Sequence, residues 1–152
     1  MKLERIALIA EIAGAVAVVL SLIYVGLEIR ANTTATKFSN YHSSLAVAHE
    51  WDSWLQDPVF AENYNKALTN IDALSPSQQW QVKIYIGQGL NMWEYTYVGW
   101  SEGLIKSSVW NSWNSFFVAR LKSEPLWQSR WDSVGKYYDN NFQNHVNESL
   151  EN

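Results

Sequence analysis

From Ile12 to Leu27 the chain carries no polar side-chain group except the hydroxyls of Ser21 and Tyr24, and this segment constrains the fold more than any other. A helix in the core of a soluble domain normally keeps a polar stripe, and this one has none. Extended back to Ile6 the run is interrupted once, by Glu11. At ~1.5 Å of rise per residue the shorter run covers ~24 Å and the longer ~33 Å, against a hydrocarbon core of ~30 Å. The longer run spans. Lys2, Glu4 and Arg5 precede it, Glu28 and Arg30 follow it, and Tyr24 stands where an interfacial aromatic sits. Residues 1–30 therefore read as a transmembrane helix with its flanks, and residues 31–152 as an aqueous domain. The segment also resembles a signal peptide, but no Ala-x-Ala cleavage site follows it.

Orientation rests on a small charge difference. Lys2 and Arg5 on one side are matched by Arg30 and Lys37 on the other, and the terminal amine tips the balance toward an N-terminus inside. The expectation is a domain outside the cytoplasm.

Glu11 is the costly residue of the span, because a carboxylate in lipid usually faces a partner helix or a watery cavity. Ala10 and Gly14, then Ala13 and Ala17, supply small side chains one turn apart on which helices approach closely. Ala10, Glu11, Gly14 and Ala17 are thus the expected contact between copies of the span. If the span instead begins at Ile12, Glu11 lies among headgroups.

No Gly or Pro occurs between Arg30 and Gln56, so the membrane helix is expected to continue as a long amphipathic helix to about Leu55. Its heptad-spaced seam runs through Phe38, Tyr41 and Leu45, and Thr33 and Thr34 mark the place for an interruption. Asp57-Pro58 starts a helix to about Thr69, with Phe60, Tyr64, Ala67 and Leu68 inward. Ser75-Pro76-Ser77-Gln78 is a capping box opening a helix to about Glu102, stopped by Gly103. Ser107 or Ser108 caps the next helix, with Val109, Trp110, Trp113, Phe116, Phe117 and Leu121 on its apolar face and Asn111-Ser112 and Asn114-Ser115 outside. Pro125 starts a helix carrying Leu126, Trp127 and Trp131, and a last helix carries Phe142, Val146 and Leu150. No segment alternates convincingly with period two, so the domain is all-α.

Ser21-Leu22-Ile23-Tyr24-Val25-Gly26-Leu27-Glu28-Ile29-Arg30-Ala31-Asn32-Thr33, together with Gly103-Leu104-Ile105 leading to Trp110 and Trp113, resembles a loosely defined group of uncharacterised small bacterial single-pass membrane-anchored helical proteins. The resemblance implies an N-terminal anchor in the bacterial inner membrane bearing a helical domain, which the charge balance would put on the periplasmic side, and it brings no catalytic residues.

Composition removes several chemistries. The absence of cysteine excludes disulfides, thiolate metal sites and thiol catalysis. Eleven basic against fifteen acidic residues leave a net charge of −4, without the surplus that binding a phosphate backbone needs, so nucleic acid is not an expected partner. His42 and His49 stand two turns apart on one helix, ~10 Å, too far to share a metal ion, and His145 is distant in sequence; no metal site is expected. Nor does any cofactor motif occur, since Gly87-Gln88-Gly89 falls within a helical pattern.

Nine Trp, eight Tyr and five Phe remain to be explained. Trp93, Glu94, Tyr97, Trp100, Trp110 and Trp113 read either as part of a core filled with large side chains, or as an apolar ligand pocket, or as a face resting on the bilayer. Glu94 beside this seam is expected to pair with Arg120 or Arg130, or to act as a buried proton carrier. The functional expectation is a self-associating single-pass membrane protein, in contact with lipid, with a structural, scaffold or pore-related role. Two alternatives stand beside it: an accessory subunit docked on other membrane subunits, and a tethered enzyme or binder of an apolar molecule.

Overall fold

The computed structural model describes residues 2–151 and is all-α, with no strand among them. Six helices follow in order: α1 Lys2–Ser53, α2 Pro58–Asn70, α3 Pro76–Ser101, α4 Ser107–Ser123, α5 Pro125–Val134 and α6 Asn140–Glu151. The chain divides into two compact units, Met1–Ser39 and Asn40–Asn152. Composition changes earlier, where the apolar run ends at Leu27 and the flank closes at Arg30; the unit boundary lies nearer Ser44, the first buried residue of α1.

In the first unit every residue from 2 to 39 is exposed. The expected interruption at Thr33 and Thr34 does not occur. Their hydroxyls donate to the carbonyls of Ile29 and Arg30 one turn back, at 2.8 and 3.0 Å, a bond that a continuous helix accommodates.

In the second unit α1 ends at Ser53, two residues short of the expected limit, and tightens into a 3-10 turn at Trp54–Gln56. Pro58 is the reason, since proline pushes the preceding residue out of the helical region and Asp57 is extended at φ −75°, ψ 116°. The Asp57 carboxylate then accepts from the N–H groups of Val59 and Phe60, capping α2. Ser75 and Gln78 form the capping box at the start of α3, each side chain accepting from the other's backbone N–H. Gly103, at φ 68°, supplies the left-handed residue that stops α3.

The start of α4 differs from expectation. Lys106 occupies the cap position and gives no side-chain bond, while Ser107 is the first helical residue, its oxygen accepting from the Trp100 indole at 3.3 Å. The cause is the preceding turn, in which the N–H groups of Leu104 and Ile105 both fold back onto the Gly99 carbonyl.

Helix α3 is the centre of this unit, packed against α2, α4, α5 and α6. It buries Val82, Tyr85, Ile86, Leu90, Met92 and Trp93. Trp51 lies on it as well, its ring stacked 4.8 Å from that of Tyr85 and its indole N–H donating to the Tyr85 carbonyl at 2.9 Å. Such an approach requires Gly89: a Cβ there would stand 2.8 Å from the Trp127 ring and 2.9 Å from that of Trp51. The core is thus a continuous assembly of rings, each pair adding ~0.5–1.5 kcal/mol beyond the area it buries.

Candidate functional site

The expected residues fall into three separate places. Ala10, Glu11, Gly14 and Ala17 lie in the first unit, all exposed, and no side chain comes within 4 Å of where a Cβ on Gly14 would be. They form an open face. Phe38, Tyr41 and Leu45 are exposed too, at 63%, 39% and 41%. The stripe that α1 buries within its own chain is Ser44, Ala48 and Trp51. At 3.6 residues per turn this stripe lies ~90° round the helix from the expected seam.

The aromatic residues do meet, in contact with one another. Trp93 is fully buried and stacked on Phe117 at 5.4 Å, and Trp113 stacks on Phe117 at 6.0 Å. Trp100 stacks on Trp110 at 5.3 Å, and Tyr97 closes on Trp110 edge-on at 5.6 Å. The rings occupy the space between α3 and α4 themselves. Asn114, expected outside, turns inward and accepts from the Trp93 indole at 3.1 Å. Its Oδ1 also meets His145 Nε2 at 2.9 Å, and the imidazole packs against both Tyr97 and Trp110, at 5.4 and 5.2 Å. Burial lowers the pKa of His145, with Glu148 opposing the shift.

Glu94 pairs with neither arginine. Its carboxylate accepts from the backbone N–H of Asp139 at 2.6 Å, in the turn where Asp139 in turn caps α6. Arg120 instead meets Glu124 one turn along the chain. Among the described residues Arg130 makes no ion pair and no hydrogen bond, and its Nε is buried without an acceptor. The other buried orphan, Oε2 of Glu124, belongs to a carboxylate whose charge Arg120 already balances.

Arg130 lines a cleft of about 630 Å³ between the end of α2, the following turn, α3 and α5. Its guanidinium lies against α3 at Gly87, where a Cβ would stand 3.3 Å from Nη2 and 3.7 Å from Nε. Lys83, half-buried and one helical turn from Gly87, lines the same cleft, and Trp80 stands on it 60% exposed. Ile71 and Leu126 face it from α2's end and from α5, and Asp72 is the one acidic residue on its wall. Near Arg130, Tyr138 donates to Asn91 at 2.8 Å, and burial, then the Glu94 carboxylate, pushes its phenol up to about 12 against the opposing field of Arg130.

Sequence reasoning missed this cleft. Its signal was the pair Gly87 and Gly89 inside a helix: one makes room for an arginine and the other for two indoles. Among the described residues no group of three or more His, Asp or Glu side chains is placed to hold a metal ion.

No protein-family model, no curated protein and no solved structure matches this chain.

Proposed function

We propose that this chain is a single-pass membrane protein of the bacterial inner membrane that self-associates through its apolar helix and carries an aromatic-cored helical domain as a scaffold. One observation carries the reading. The N-terminal helix has an eighteen-residue window of mean hydropathy 2.6, none of which is buried inside the chain. Leaving such side chains in water forfeits ~1.5–3 kcal/mol for each large one, and a run of them exceeds the apolar patches soluble monomers expose. Lipid removes that cost.

Self-association is supported by Glu11 beside the open face of Ala10, Gly14 and Ala17. A charge at the bilayer centre costs ~2.5–3.5 kcal/mol on insertion scales, and a partner helix that offers a hydrogen bond reduces this. Because the chain has no cysteine, Ala10→Cys and Gly14→Cys introduce the only thiols. Oxidative cross-linking in native membranes is expected to give dimers at both positions, and Glu11→Leu is expected to leave insertion intact while lowering the cross-linked fraction. Efficient cross-linking on the opposite helix face, with none at positions 10 and 14, refutes this contact.

A further inference from the structure

We infer that the cleft lined by Lys83, Arg130 and Trp80 is a binding site for a small monocarboxylate with an aromatic or aliphatic body. The inference is independent of the membrane reading, because every residue of the cleft lies in the second unit.

Three observations converge on it. The first is charge. Lys83 and Arg130 face the cleft against Asp72 alone, and among the described residues neither cation has a carboxylate partner. A surplus of one positive charge fits a monoanion and disfavours a phosphate dianion beside Asp72.

The second is preorganisation. A glycine inside a helix costs ~0.5–1 kcal/mol relative to alanine, and at Gly87 the space this frees is filled by the Arg130 guanidinium. Packing against the helix restricts this arginine, and the planar guanidinium carries its donors in the fork that a carboxylate accepts two at a time. Its buried Nε, without an acceptor, leaves the group short of the partners an interior arginine usually has.

The third is the apolar wall. Trp80, Lys83 and Gly87 follow at helical spacing along one face of α3, with Ile71 and Leu126 across from them. Trp80 is 60% exposed, a large apolar surface that a ligand body would cover. The volume lies within the range of small-molecule sites.

The test is calorimetric titration of the full chain, held in lipid nanodiscs, with 3-phenylpropionate as the probe and with 3-phenylpropan-1-ol and inorganic phosphate as comparisons. Saturable one-to-one binding of the carboxylate is expected, at least about tenfold tighter than the alcohol or phosphate, as the loss of a charge-assisted contact implies. Arg130→Gln should weaken it by about tenfold or more, and Lys83→Gln and Trp80→Ala each by a smaller factor. Gly87→Ala, which keeps every charge but displaces the guanidinium, should also weaken it. Circular dichroism establishes that each variant is folded. Absence of saturable binding, equal affinity for alcohol or phosphate, or a folded Arg130→Gln chain that binds as tightly as the parent overturns the assignment. If Arg130→Gln does not fold, unchanged affinity in both Lys83→Gln and Trp80→Ala overturns it instead.

Discussion

The indole N–H of Trp127 donates to the phenolic oxygen of Tyr64 across 2.9 Å, a buried bond between α5 and α2 whose partners are 63 residues apart in the chain. Trp127 is fully buried, so no water can replace that acceptor, and burial also holds the Tyr64 phenol above its ordinary pKa. The two rings therefore fix how these two helices meet.

Tyr64→Phe keeps the ring and removes the acceptor, leaving a buried donor unpaired. The expected loss is about 1–3 kcal/mol of unfolding free energy in a urea titration. A change within about 0.5 kcal/mol of the parent would mean that the bond does not position these helices.

Gly89→Ala is expected to destabilise the protein although alanine is the better helix former. The helix gains ~0.5–1 kcal/mol, while crowding the rings of Trp51 and Trp127 costs ~1–3 kcal/mol. Gln88→Ala, at the exposed neighbouring position, serves as the comparison and should change little. Equal midpoints for the two variants would contradict the close approach.

Leu45 separates backbone from side-chain effects on α1. Its side chain is 41% exposed, so Leu45→Ala should cost little, whereas Leu45→Pro removes a helix donor and clashes with the preceding turn at ~3 kcal/mol or more. Helical content by far-ultraviolet circular dichroism should fall for the proline variant alone. Equal loss in both would place the contribution in the side chain.

At three boundaries local signals in the sequence translated directly into structure, whereas at α4 Lys106 took the cap position expected of Ser107 or Ser108. Asp57-Pro58, the Ser75 capping box and Gly103 each form the boundary that their chemistry implies, because a cap is completed within one turn of chain. Partners distant in sequence were not legible. Asn114 reads as an outward residue of α4 until Trp93 and His145 from two other helices arrive at its oxygen. Glu94 reads as an arginine partner until the turn before α6 brings the Asp139 N–H to it. Heptad spacing located an apolar seam on α1, but it did not reveal which of two adjacent faces packs inside the chain, because Ser44 is small enough to be buried without being apolar.

His145 ties the aromatic cluster to pH. Burial, the larger cause, depresses its pKa below the unfolded value while Glu148 opposes, so the neutral imidazole is the form the fold favours. Its contribution is fully present above the ordinary histidine pKa of ~6.5 and is lost as pH falls below that value toward the depressed folded one. The fall in melting temperature between pH 7.5 and 5.5 should be smaller in His145→Gln than in the parent. An equal fall in both would assign the pH dependence to other groups.

The claim that the N-terminal helix lies in lipid is tested most directly by fractionating cells that express the full chain and washing their membranes with alkaline carbonate. The chain is expected to stay with the membranes through the wash and to be released by detergent. A Val18→Lys/Leu22→Lys chain, which places two charges costing ~2.5–3.5 kcal/mol each at the centre of the run, is expected to be lost from them. Recovery of the unaltered full-length chain in the soluble fraction without detergent would contradict the account.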